Sequence, residues 1–416
     1  ARPPPYRKTD SGRGTHIALV RDLLRLFRKT MHMFGKEILM RIRGRGAPIA
    51  AGLSLMALAG ACTAFPPSQP MRVAQRPAPV SAVPKPVPPA PRLSAAIPPP
   101  PMPVRSAASP ALVASIQQLG KQFNGTVGIA VERVDAGWTV AHNGNKLFPQ
   151  QSVSKLWVAM TMFDAIDRGK VTLDTPVTIK PTDLTLFHQP IAAMVKGAGY
   201  QTTLRDLLNR AMMQSDNTAN DSILRTVGGP EAVRGYLARR FFGPESIRFG
   251  PGERMLQSAT AGLTWSQDMA MGRRFYTARA NLPRSAREKA LDNYLANPMD
   301  GASPLAIVHA LAKLKKGDML SPSSTSSLLT VMGDAKTGPQ RVKAGVPAGW
   351  HYLHKTGTGQ DLAPRSTGYN DVGIMTAPDG TSYAIAVMIG ETTVTIPERW
   401  ALMQSVARSV AMLHRP

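Results

Sequence analysis

The sequence predicts a mixed α/β (α+β) domain carried behind a long non-globular leader, and three observations lead there. Of 416 residues, the first 110 hold 17 Lys and Arg against 3 Asp and Glu, +14 of the formal +24, so the front of the chain is a compositional zone of its own. Beyond it, strand-like sequence falls in two blocks, near residues 126–142 and 350–389. Helix-rich, strand-poor sequence separates them, from Ser152 to about Val331. At this length, one large domain with extensions fits better than two or three domains.

Residues 1–39 form a basic extension whose run Arg21-Asp22-Leu23-Leu24-Arg25-Leu26-Phe27-Arg28-Lys29 suits a membrane surface. The alternative is that translation starts at Met40, where Arg41, Arg43 and Arg45 precede the apolar Ala47–Ala61. That stretch is short for a bilayer span. It ends in Leu58-Ala59-Gly60-Ala61-Cys62, small residues leading into the single cysteine, which resembles a bacterial lipobox. Residues 40–62 are therefore expected to be a signal peptide, with Cys62 lipidated and the protein held in the cell envelope. Ala59 stands where Leu is commoner, so cleavage and release of a soluble periplasmic protein stays open. Residues 63–110, dense in proline as in Pro98-Pro99-Pro100-Pro101, lack the apolar bulk to fold and read as an extended tether. Binding of a proline-recognising partner is the other use of such a segment.

The folded domain is expected over 111–416. Leu112–Phe123 has helical periodicity, and Thr126–Val134 and Trp138–His142 alternate around Asp135-Ala136-Gly137, a hairpin signal. Strand patterns return at Trp350–Lys355, Asn370–Thr376 and Thr381–Ile389, with Asp379-Gly380 as the last turn. Glu398–Leu413 reads as a closing helix. With one cysteine, no intramolecular disulfide can form and thiol metal sites are excluded. His351 and His354, three apart on a strand, would face opposite ways, so they read as structural and no metal or cofactor is expected. The remaining charge of +10 beyond residue 110 would suit anionic substrates; no nucleic-acid-binding motif accompanies it, and no nucleic-acid partner is expected.

Chemistry concentrates at Gln151-Ser152-Val153-Ser154-Lys155, which opens the apolar run Leu156–Ile166. On a helix, Ser152 and Lys155 share a face one turn apart. A serine hydroxyl needs a base to become a nucleophile, and a lysine is one when burial or nearby cations disfavour its charge. Alone this spacing is weak, since a capping serine and a solvated lysine give the same pattern. Two further boxes change the balance: Ser215-Asp216-Asn217 after the helical run Thr203–Met213, and Lys355-Thr356-Gly357 after aromatic strand residues. In this order the three resemble the signature of the penicillin-recognising serine enzymes, class A β-lactamases and their low-molecular-weight transpeptidase relatives.

The resemblance implies a five-stranded antiparallel sheet flanked by helices, plus an all-helical lobe. It implies that Ser152 attacks the β-lactam carbonyl, Lys155 assists its deprotonation, Ser215 relays a proton to the leaving nitrogen, and Asn217 holds substrate and Lys155. Lys355, Thr356 and Gly357 would bind the substrate carboxylate, and Thr358 with Ser152 would supply the oxyanion N–H groups. Asp216 is expected to be structural. Lys336-Thr337-Gly338 repeats the last box, but Pro339 suits it to a loop, and it is set aside.

A deacylating glutamate is also implied, in the pattern Glu-x-x-Leu-Asn on a loop; Glu253-Arg254-Met255-Leu256-Gln257 fits except that Gln257 replaces Asn. Glu253 paired merely with Arg254 or another base on a loop remains open, and residues 265–298 read as sequence beyond the family pattern. Three functions follow: a class A-like β-lactamase acting as a monomer, a D,D-peptidase or transpeptidase acting on peptidoglycan stem peptides, or a non-catalytic envelope protein. Retention of every box residue disfavours the last.

Overall fold

The computed structural model describes residues 107–240 and 246–415; the calls on the leader, Cys62 included, lie outside the described residues. Helix α1 (Pro110–Gln122) starts where Ser109 Oγ accepts the Leu112 N–H at 3.2 Å and Pro110 needs no donor partner. Its buried Leu112 and Ile116 lie four apart and face the sheet.

Strands β1 (Gly125–Arg133), β2 (Thr139–His142), β3 (His351–Gly357), β4 (Arg365–Thr376) and β5 (Ser382–Thr392) pair antiparallel in the order β2-β1-β5-β4-β3. A two-residue strand, Asp361–Leu362, adds to β4. The first and last strands of this sheet in chain order meet in its middle, with β1 against β5 from Gly125 and Thr392 to Arg133 and Tyr383. Successive side chains of β5 point to opposite faces. Ala384, Ala386 and Met388 join the core under the helical lobe, while Tyr383, Ile385, Val387 and Ile389 face α1 and the last helix, α11 (Ile396–Met412). Because both faces are covered, β5 is apolar almost throughout rather than alternating.

Helix α11 begins two residues before the expected Glu398, because Thr395 caps it: its N–H and Oγ1 donate to Glu398 Oε2 at 2.9 and 2.7 Å. Strand β4 begins at Arg365, five residues before the expected Asn370, and carries Gly368 at φ +61° within it.

The lobe is built round α2 (Lys155–Asp167), buried without a break from Lys155 to Asp164. It lacks a side-chain N-cap bond, so packing holds it, Trp157, Leu156, Met160 and Phe163 each contributing about 1.5–3 kcal/mol on burial. Round it pack α3 (Leu204–Met213), α4 (Asn217–Thr226), α5 (Gly229–Arg240) and α10 (Pro322–Gly333), while α9 (Pro304–Lys316) lies on the sheet. Short strands interrupt the stretch expected to be helical, Pro176–Ile179 paired with Tyr200–Thr203, and Gly301–Ala302 paired with Phe148–Pro149 ahead of that stretch; they are too brief to leave a period. Residues 265–298 form a 3₁₀ turn (Gln267–Ala270), α7 (Arg274–Asn281) and α8 (Arg284–Ala296).

Candidate active site

Ser152 sits in a 3₁₀ turn, Gln151–Ser154, immediately ahead of α2, rather than in the α-helix itself. The turn requires Gln151 at φ +52°, a left-handed conformation costing a side-chain-bearing residue about 1–3 kcal/mol. Buried bonds hold it: Gln151 N donates to Asp300 Oδ2 at 2.8 Å, and Ser154 Oγ donates to Gln151 O at 2.7 Å.

Lys155, 1 % exposed, spends all three of its donors, on Ser152 Oγ at 2.8 Å, on Asn217 Oδ1 at 2.9 Å and on Glu253 Oε1 in a close ion pair. An ammonium with three bonds has no lone pair for a serine proton. Glu253 is the neighbour able to take one of its protons and so free the amine facing Ser152.

Asn217 is the first residue of α4 and its Nδ2 donates to Leu186 O at 2.9 Å. Asp216 is structural, as expected: one carboxylate oxygen accepts the Ala219 N–H at 2.9 Å and the other the Ile191 N–H at 2.7 Å. Ser215, at φ +63°, accepts a hydrogen bond from Lys355 Nζ at 2.9 Å. Burial, then the Lys155 and Arg341 cations, push the Lys355 ammonium well below its ordinary pKa.

Lys355, Thr356 and Gly357 end β3 beside the nucleophile's turn. A Cβ on Gly357 would come within 2.3 Å of the Gln150 carbonyl oxygen, so only glycine lets strand and turn approach this closely. Thr358 follows, exposed, at the mouth of a cleft of about 500 Å³ lined also by Ser152, Ser215 and Asn217.

The repeated box is a loop, with Lys336 exposed and its N–H on Met213 O at 2.9 Å. Yet it is not remote: Thr337 and Thr356 hydroxyls meet at 2.7 Å, and Thr337 lines the cleft. The loop thus brings Thr337 into the cleft lining without bringing Lys336 there.

Glu253, 5 % exposed, is not on a loop but opens helix α6 (Glu253–Thr260) behind Gly252. Its ion-pair partner is Lys155, not Arg254, which stacks on Trp265. Asp221 Oδ1 accepts the Glu253 N–H at 3.1 Å. Burial and the adjacent Glu253 charge push the Asp221 carboxyl up to about 6. Gln257 lies one turn on, its Nε2 3.3 Å from Glu253 Oε2.

His351 is exposed, whereas His354 is buried with Nδ1 2.8 Å from Asp371 Oδ1, a structural pair in β3 and β4.

Sequence reading also missed Arg341. Its guanidinium is buried over the Tyr369 ring, donates to Gly357 O (2.8 Å) and Asn370 O (2.6 Å), and reaches Thr358 Oγ1 at 2.6 Å. Nor did residues 265–298 announce their part: Phe275 packs with Leu186, and Leu291 and Tyr294 pack with Leu256 and Leu362, bracing both sides of the cleft.

A serine held by a buried lysine, with a second lysine–serine pair and a carboxylate closing on the same cleft, defines a serine hydrolase working by acyl transfer. The model of the "Beta-lactamase enzyme family" matches residues 111–412, and the chain belongs to that family. It is similar to the extended-spectrum β-lactamase PER-1 of Pseudomonas aeruginosa, 28 % identical over 302 residues that cover 72 % of this chain and 86 % of the relative. A β-lactamase of Bacteroides uniformis is 28 % identical over 289 residues, covering 68 % and 85 %. Among solved structures, a β-lactamase from Chitinophaga pinensis superposes with a TM-score of 0.59 at 27 % identity, over 72 % of this chain and 97 % of that one. The expected fold class is thus the one found.

Proposed function

We propose that this serine β-lactamase opens the β-lactam ring through an ester on Ser152 and hydrolyses that ester with water activated by Glu253, a hydrolase activity that confers antibiotic resistance. The observation that carries the reading is the single ammonium of Lys155 bonded at once to Ser152, Asn217 and Glu253. Glu253 takes a proton from Lys155, the freed amine takes the Ser152 proton, and Oγ bonds to the carbonyl carbon. The ring C–N bond then breaks, its nitrogen receives through Ser215 the proton that Lys155 took from Ser152, and Glu253 returns its proton to Lys155, which leaves the carboxylate ionised again. Glu253 next deprotonates water, whose oxygen attacks the ester carbonyl, and Ser152 Oγ leaves and recovers its proton. Ser152 and Thr358 N–H groups would hold the oxyanion, and Lys355, Thr356 and Arg341 the substrate carboxylate.

The test is to follow penicillin turnover alongside intact mass. Sustained hydrolysis is expected; a stable adduct with no turnover would give the D,D-peptidase reading instead.

Replacing Lys355 by Ala is expected to raise KM for carboxylate-bearing β-lactams by about 30-fold or more, since removing one partner of a buried charge pair costs roughly 2–5 kcal/mol. Lys336→Ala, at an exposed side chain, should leave KM within about twofold of wild type. The reverse pattern in steady-state kinetics would transfer the carboxylate to the other box.

We further propose that the protein is an envelope lipoprotein anchored through Cys62, with a tether from residue 63 that ends short of the Ser109 cap of α1 rather than at 110, and that it acts as a monomer because one chain supplies every group named above. Cys62→Ser should move it from the membrane to the soluble periplasmic fraction. A wild-type protein already found there would favour signal cleavage and release.

A further inference from the structure

Behind the Ser152 turn runs a buried chain of side chains with a carboxylate at each end. Tyr294 OH donates to Asp300 Oδ1 at 2.8 Å, and Gln151 Nε2 donates to Tyr294 OH at 2.7 Å. Gln257 Nε2 donates to Gln151 Oε1 at 2.8 Å and lies 3.3 Å from Glu253 Oε2. On its far side Gln360 Nε2 donates to the Gln257 carbonyl oxygen (2.8 Å) and to Oε1 (3.1 Å). All five residues from Asp300 to Glu253 are buried.

The directions of these bonds are set by the ends. An ionised carboxylate only accepts, so the Tyr294 hydroxyl must donate to Asp300 and keeps its lone pairs for Gln151. Burial, then the Asp300 charge, holds the Tyr294 phenol well above its ordinary pKa, so it remains a donor. With its amide nitrogen turned to Tyr294, Gln151 presents only its oxygen to Gln257. Gln257 must answer with its amide nitrogen, whose second hydrogen is then aimed at Glu253. A chain between two acceptors has to reverse once, and the NH₂ of Gln257 is where it does. Gln257 also offers one methylene more than the expected asparagine, with which to span Gln151 and Glu253.

We propose that Tyr294 and Asp300 are positioning residues for Glu253, fixing the orientation of the deacylating carboxylate through the Gln151 and Gln257 amides. The segment 265–298 thereby contributes to the ester-hydrolysing half of the reaction through Tyr294, although Tyr294 touches no reacting atom. The inference rests on Glu253 serving in deacylation.

Tyr294→Phe removes one hydroxyl and lets the Gln151 amide turn over, which presents nitrogen to nitrogen at Gln257. In the full-length chain, rapid-quench intact mass with penicillin should show acylation within about twofold of wild type. Ester hydrolysis should slow about 5- to 100-fold, the range for a buried hydrogen-bond partner lost. Then kcat and KM fall together, kcat/KM holds, and acyl-enzyme accumulates in the steady state. A merely structural role would lower the melting temperature and active fraction without changing the ratio of the two steps; that outcome, or equal falls in kcat and kcat/KM, overturns the proposal. Should Tyr294→Phe fail to fold, Gln151→Met cuts the chain one link nearer the site, and the same shift in ratio is required of it. Glu253→Gln run in parallel separates the two levels: if it traps the ester while Tyr294→Phe does not slow hydrolysis, the positioning role fails alone. If Glu253→Gln turns over like wild type, the reading beneath it fails.

Discussion

Ser152→Ala is expected to abolish covalent labelling by penicillin and to lower turnover by on the order of 10⁶, as removal of a serine nucleophile from a concerted site does elsewhere. The fold should survive. Ser152 is only half-buried, and Lys155, left without its hydroxyl partner, keeps Asn217 and Glu253, so no charge is stranded. The alanine also suits the 3₁₀ turn, which draws its stability from the Asp300 bond to the Gln151 N–H and from Ser154, neither of them altered. Labelled penicillin resolved on a denaturing gel, intact mass and a melting curve read the three expectations separately. Equal labelling of wild type and variant would move the nucleophile to another hydroxyl, with Ser215, which lines the cleft and bonds to Lys355, the first to test.

What could be read from the sequence here is what the chain places within a few residues. The Ser152 and Lys155 pair, the cap at Asp216 and the run of β3 into Gly357 are local, so their residue types and spacing already state their geometry. The two-faced burial of β5 likewise shows as an unbroken apolar run. Contacts across long separations had no such signal. Glu253 meets Lys155 across 98 residues, and only the family pattern pointed to it. Thr337 was lost for a different reason: Pro339 rightly excludes a strand, but a loop can still bring a hydroxyl to Thr356. Arg341 and Tyr294 belong to no motif; each matters through partners, Thr358 and Gln151, that are remote in sequence. The helix expected to begin at the nucleophile begins at Lys155 instead, because the left-handed Gln151 cannot enter an α-helix and the turn tightens to 3₁₀ geometry.

Glu253→Gln should separate the two halves of the reaction. Acylation needs a neutral Lys155 amine facing Ser152. In wild type the carboxylate can receive the proton that makes it neutral; in the variant no carboxylate remains at 253, and a buried ammonium without a counter-charge favours giving up its proton to solvent. The amine that accepts the Ser152 proton is therefore available by either route, and ester formation is expected to persist. Hydrolysis has no such substitute. Water must be deprotonated as it attacks, and a glutamine carbonyl is far too weak a base, so ester hydrolysis should slow on the order of 10²- to 10⁴-fold, the usual worth of a general base. The Glu253 backbone is held by Asp221 and its helix by Leu256 in the cluster with Leu291 and Tyr294, so the backbone path should not change. Intact mass should show the variant plus one antibiotic, stable over hours, with kcat and KM reduced together. If the variant instead turns over penicillin as fast as wild type, Glu253 serves only to neutralise Lys155, and the activated water must owe its proton transfer to another group.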